Sequence, residues 1–259
     1  LTLFCMKGFF IKKAFFDGWD NLIAICLINI AYLGLIYLGF VVFLGVPSFS
    51  ALAIPVLLLV ISIFMGASAS AVHNYSDYKG DTWSALRHGL VRNIRHSLFF
   101  ALLLILAVLN IILIIPFYLS YENAFGIIIS IILLWIELIL LLCLPYYFPL
   151  MNHLPADRPL KTAKKCFIIV GDNFGFTIFF FLYNIVCAAL SVFTMGIIPG
   201  ITGMQLAAED AIRLMMMKYD YLEENPDADR KHIPWADILY DEKEKVGPRS
   251  LKNMIFPWK

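Results

Sequence analysis

Glu137 in LLWIELILLL and Glu209 in ITGMQLAAEDAIRLMMMKYDYL are carboxylic acids set in long apolar runs. A charged side chain at the centre of a bilayer costs about 2.5–3.5 kcal/mol on insertion scales. An acid kept there binds a proton, an ion or a small polar ligand, or it pairs with a counter-ion and holds helices together. Arg213 follows Glu209 by four residues, the favoured order for a helical ion pair. At 100° per residue Thr202, Gln205, Glu209, Arg213 and Asp220 form one stripe, flanked by Asp210. Such a stripe is expected to face the interior of a helix bundle. Both roles, ligand path and structural glue, remain open on sequence grounds.

The elements that must position these acids follow from hydropathy. Of 259 residues, 61% are hydrophobic and only 15% charged, against about 25% charged in soluble domains. Five apolar runs, 21–44, 48–71, 98–118, 125–150 and 174–195, reach the roughly 20 residues that a helix needs to cross a bilayer. The Glu209 stretch, after Pro199, is a weaker sixth. The runs are too long for barrel strands and lack their alternation. The sequence therefore predicts an all-α polytopic membrane protein with six transmembrane helices arranged as three helical hairpins, with interfacial amphipathic helices. Its expected parts are an amphipathic leader (1–20), the membrane domain (21–222) and a charged, partly ordered tail (223–259).

Charge sets the orientation. The leader, the 70–97 loop, the 151–173 loop and the chain from Arg213 onward hold all 20 Lys and Arg. The intervening connections GVPSF, YENA and GIIPG hold none. Lys and Arg mark cytoplasmic loops, which puts both termini in the cytoplasm of a bacterial inner membrane. Glu137 lies 12 residues into its run and Glu209 10 residues beyond Pro199, depths of about 18 and 15 Å. Similar depth predicts a cluster of Glu137, Glu209 and Arg213, joined by the span polar residues Gln205, Asn184 and Asn110.

Each outward-going run opens on an asparagine, Asn21, Asn93 or Asn173, after a basic amphipathic segment. This suggests a threefold internal repeat. Arg87, Arg92 and Arg95 in RHGLVRNIRH, and Lys164 and Lys165 in KTAKKC, are candidates for lipid headgroup contacts. No Walker A, GxGxxG, GxSxG or HExxH motif is present, and the five cysteines show no metal spacing. No catalytic residue, cofactor or metal ligand is expected. The expected partners are membrane lipids and transporter subunits or a second copy of the chain. The basic residues are too dispersed for nucleic acid.

The GWD leader with Asn21, Asn29 in the first span, Pro47 in the outer turn and RHGLVRNIRHSLFF around Asn93 resemble the YesL-like bacterial membrane proteins. The resemblance implies a family without a characterised function, some of whose members accompany carbohydrate uptake. It supplies no catalytic residues. The charged stretch around Glu209 and the long tail have no counterpart in it. The expected function is a transport-associated membrane protein, either a small permease-like unit or an accessory to a transporter. The alternative is a non-transporting scaffold that recruits a partner through its loops and tail.

Overall fold

A computed structural model describes residues 2–45, 50–230 and 233–249. Pro47 of the expected first outer turn lies outside them, as do residues 250–259. In chain order the helices are α1 (Thr2–Asp20), α2 (Leu22–Gly45), α3 (Ser50–Ser76), α4 (Thr82–Arg92), α5 (Ile94–Leu109), α6 (Ile115–Leu119) and α7 (Ala124–Cys143). They continue with α8 (Tyr147–His153), α9 (Pro159–Asp172), α10 (Phe174–Phe193), α11 (Gly200–Glu224), α12 (Trp235–Ile238) and α13 (Tyr240–Val246). The described residues contain no strand.

Five stretches are long and apolar enough to cross a membrane: Leu22–Gly45, Leu52–Ser76, Ile94–Leu119, Ala124–His153 and Phe174–Phe193. They expose large apolar side chains such as Tyr37, Leu38, Ile112, Trp135, Val192 and Phe193. A surface this apolar calls for lipid rather than water. The chain thus has the build of an integral, multi-pass membrane protein. The expected sixth crossing, α11, is not among the five.

Local chemistry explains the breaks. Pro116 has no N–H to give the preceding turn, and the helix widens to a π turn over Asn110–Ile114 before α6. Pro145 lies in the 3-10 turn Leu144–Tyr146 between α7 and α8. Asn21, Asn93 and Asn173 each sit at a joint between an amphipathic helix and an apolar one. Their backbone N–H groups keep the i→i−4 bond, and their short amides add bonds to nearby carbonyls: Asn21 to Asp17 O (2.9 Å), Asn173 to Ile169 O (3.1 Å) and Asn93 to Gly66 O on α3 (2.7 Å).

The leader α1 is not merely peripheral: one face of it packs into the core, while Ile11 and Trp19 on the other are exposed. Its positions 6, 9, 10, 13, 14, 16 and 17 are all buried and follow helical spacing. Phe10 meets Phe176, Phe179, Phe180 and Tyr183 with ring centroids 5.1–6.0 Å apart. The described tail is not a solvated extension either, because Trp235, Leu239 and Val246 are buried, with α12 and α13 packed on α1.

α11 is the helix around which the rest is arranged. Apart from half-buried Arg213, every residue from Leu206 to Met215 is buried. It touches α1, α2, α3, α8 and α10. Its start is recessed. Asn29, on α2, donates to Ile197 O (2.8 Å) and Pro199 O (2.7 Å) and accepts from the Thr202 N–H (2.9 Å). The 16 residues from Asn29 to Gly45 carry α2 roughly 24 Å beyond this contact. Gly200 has φ +61°, and a Cβ there would lie 2.3 Å from Asn29 Nδ2, so only glycine fits this close turn.

Candidate functional site

From that recessed start, α11 directs successive polar residues at different neighbours. One turn in, Gln205 Oε1 accepts from Ser68 Oγ on α3 (2.7 Å), and Gln205 Nε2 donates to Met65 O (3.2 Å). Ser68 is also bonded to Tyr32 of α2 (2.7 Å). This ladder fixes the rotation of α11 between α2 and α3.

The next turn brings Glu209, 1% exposed, against groups from α3 and α8. His73 Nδ1 lies 2.7 Å from Glu209 Oε1, and His153 Nε2 lies 3.0 Å from the same oxygen. The two imidazoles are perpendicular, with centroids 5.3 Å apart. Asn152 Nδ2 donates to Glu209 Oε2 (3.2 Å) and to Ala69 O (3.0 Å). On the other side of the His73 ring, Nε2 lies 3.7 Å from Asp77 Oδ2. One ligand atom from each of His73, His153 and Glu209 falls within 4.8 Å of the others, so these three residues could hold a metal ion. An ionised carboxylate only accepts hydrogen bonds, so a proton or a cation must lie between Oε1 and each nitrogen.

Glu209 also lines a cavity of about 340 Å³ between α3, α5, α7, α8, α10 and α11. Most of its wall is apolar, with Met65, Phe100, Leu142, Phe148 and Phe180 among the lining residues. Polar groups enter it from Thr177, Asn184, Gln205 and Glu209. Asn184 Oδ1 is buried without a hydrogen-bond partner.

Asp210 faces the opposite way, into an ionic core built with the leader and the tail. Lys13 Nζ, fully buried, lies 2.6 Å from Asp17 Oδ2, 3.5 Å from Asp210 Oδ1 and 3.6 Å from Glu242 Oε2. It also donates to Ser76 O (3.2 Å) and Tyr78 OH (3.1 Å). Burial, and then the neighbouring Asp210, push the Asp17 carboxyl up to about 8, against the opposing pull of Lys13. Asp17 Oδ1 and Asp210 Oδ2 are both buried without a hydrogen-bond partner. Arg213 bridges Asp77 and Glu242. Burial alone would raise Asp77, but the Arg213 guanidinium, with Lys79, holds it at about 2.

The expected Glu137–Glu209–Arg213 cluster does not form. Glu137 accepts from Asn110 Nδ2 (2.6 Å) across α5 and α7, and Arg213 pairs with Asp77 and Glu242. The expectation assumed that both hairpin connections begin at one level. The α10–α11 connection is recessed, and Glu209 is level with His153, 16 residues or roughly 24 Å beyond Glu137 on the same apolar run. Gln205, Asn184 and Glu209 do share the cavity, whereas Asn110 and Glu137 lie apart from it. Arg87, Arg92, Arg95 and Lys164 are exposed. Lys165 is instead tied to Asp157.

His73, His153, Asn152, Lys13 and Asp17 were not among the expected site residues. The sequence carried two signals for them: histidines at the final turns of two runs that end on the same side, and a Lys–Asp pair at i,i+4 on the apolar stripe of α1. No family model matches this chain, and no curated protein or solved structure matches it.

Proposed function

We propose that this chain is a transport-associated protein of the bacterial inner membrane whose ligand site is the Glu209 cavity. One observation carries the reading. Sequence-distant segments in α3 and α8 deliver His73, His153 and Asn152 to a single buried carboxylate on a cavity wall. A buried carboxylate on a cavity wall, with polar groups converging on it, is a candidate ligand or proton site. The mostly apolar lining offers too few polar groups for a free sugar, and the working ligand is a proton or cation at Glu209.

The proposed topology has six crossings as three hairpins, with α10 and α11 going in and returning as a pair. Its support is the shared position of the basic elements. Lys12 donates to Gly247 O and Arg249 pairs with Asp20 (both 2.8 Å), joining leader to tail, and Arg213 reaches Asp77 beside α3. The positive-inside rule makes that side cytoplasmic. Relationship to the YesL-like proteins belongs to the same proposal, supported by the asparagine joints at 21, 93 and 173.

Proteoliposomes loaded with pH-sensitive and divalent-cation-sensitive dyes test the reading. The wild type is expected to dissipate at least one imposed gradient. Glu209→Gln, with unchanged elution and circular dichroism, is expected to lose that flux. Wild-type vesicles no leakier to either ion than protein-free vesicles would overturn transport and leave the scaffold reading.

A further inference from the structure

The geometry points to a divalent transition-metal site formed by His73, His153 and Glu209, with the ion's open coordination position facing the cavity. This deepens the reading of Glu209 as the working residue and rests on it.

The donor set is the first argument. Two imidazoles and one carboxylate suit zinc and its transition-metal neighbours, whereas calcium and magnesium select oxygen. Three protein ligands with a fourth position free is the arrangement of open, reactive zinc sites. The free position here would face the space that Glu209 already lines.

The second argument is distance. His73 Nδ1 and His153 Nε2 converge on the same Glu209 oxygen at 2.7 and 3.0 Å. Ligands on tetrahedral bonds of about 2.0–2.1 Å lie roughly 3.3–3.4 Å apart. Opening the cluster by about half an ångström therefore admits the ion, a movement within reach of side-chain torsions. His153 Nε2 is close to Oε1 yet buried with no well-aligned hydrogen bond. A nitrogen lone pair aimed at a shared centre has that geometry; a committed N–H donor does not.

The third argument is what stands behind the ligands. Asn152 holds Glu209 Oε2 and leaves Oε1 for the centre. Asp77, fixed by Arg213 and Lys79, stands beyond His73 Nε2. A carboxylate behind a metal-ligating histidine fixes the ring orientation and raises its basicity. The ligands are 80 and 56 residues apart in the chain, so no spacing motif could announce them.

The experiment uses the full chain, purified in detergent through a tag without histidine and stripped with EDTA. Co2+ is titrated while the visible d–d bands are followed, and Zn2+ is then added. One Co2+ per chain, with the intense bands of a low-coordinate site, displaced by Zn2+ and not by millimolar Mg2+, is the expected result. His73→Gln/His153→Gln is expected to abolish the bands. His96→Gln, whose ring contacts Tyr147, keeps them. Should the double variant fail to fold, each single substitution is expected to weaken Co2+ binding at least tenfold. No stoichiometric binding by the wild type, or binding that survives the loss of both histidines, overturns the site. Metal binding without flux refutes the transport reading alone, and flux unchanged by EDTA in a chain that binds no metal refutes the metal site alone.

Discussion

Lys13→Met is the sharpest test of the ionic core. The substitution keeps the length and apolar stem of the side chain and removes only the ammonium. That ammonium lies within 3.6 Å of three carboxylates, and both it and Asp17 are 0% exposed. Removing one partner of a buried ion pair costs about 3–5 kcal/mol, because the remaining charge is left uncompensated. For a chain of this size the loss corresponds to a fall in unfolding midpoint of roughly 6–20 °C. Thermal unfolding of a membrane protein is often irreversible, so equilibrium denaturant unfolding in mixed micelles is the appropriate measurement. Asp17→Asn added to Lys13→Met removes an orphaned acid and is expected to restore about 1–3 kcal/mol. Lys12→Met, which loses only a bond to Gly247 O, serves as the control and is expected to cost under about 1 kcal/mol. A Lys13→Met protein within 1 kcal/mol of the wild type, or one no worse than Lys12→Met, would refute the argument.

Three further outcomes are expected. Gly200→Ala meets both a left-handed backbone and Asn29, and should destabilise by about 1–3 kcal/mol in the same denaturant assay. Glu137→Gln keeps a partner for Asn110 and should shift stability by about 0.6 kcal/mol or less, with Co2+ binding unchanged; a lost metal signal would contradict the separation of the two acids. Tail docking should weaken in acid. Burial alone would raise the Glu242 carboxyl, but Lys245, Arg213 and Lys13 hold it below its ordinary 4.5. A depressed acid contributes stability above its unfolded value and loses it as pH falls through the folded one. Limited proteolysis of residues 233–249 should thus accelerate as pH falls below about 4.5; Asp17, raised to about 8 in the same core, adds a separate loss as pH rises toward 8. Cleavage that slows on acidification below about pH 4.5 would refute the Glu242 argument.

The membrane class was legible because composition and run length depend on no tertiary contact. The asparagine joints were legible for a similar reason, since a short amide competes with the helix wherever it stands. Of the charges expected to face inward on α11, Glu209 and Asp210 are buried and Arg213 half-buried, but Asp220 is exposed, and their partners differ from those expected. A single stripe was expected, but Glu209, Asp210 and Arg213 leave the buried middle of α11 in three directions, toward α3 and α8, α1, and the tail. The recessed start of α11 depends on a long-range bond from Asn29 that no local pattern encodes. The leader shows the same limit. Its lysine marks a surface helix by residue type, and only the acids arriving from α11 and the tail make burial affordable. His73 and His153 sat in plain view as chain-end histidines, and their meaning comes from a fold that closes 80 residues onto one carboxylate.

The ionic core also constrains how the protein is made. Lys13 leaves the ribosome 197 residues ahead of Asp210 and still further ahead of Glu242. Throughout that interval the nascent chain holds a lysine whose permanent seat does not yet exist. A helix made well before α11 is therefore among the last to settle, and chains stalled before α11 should present α1 to proteases and quality-control factors.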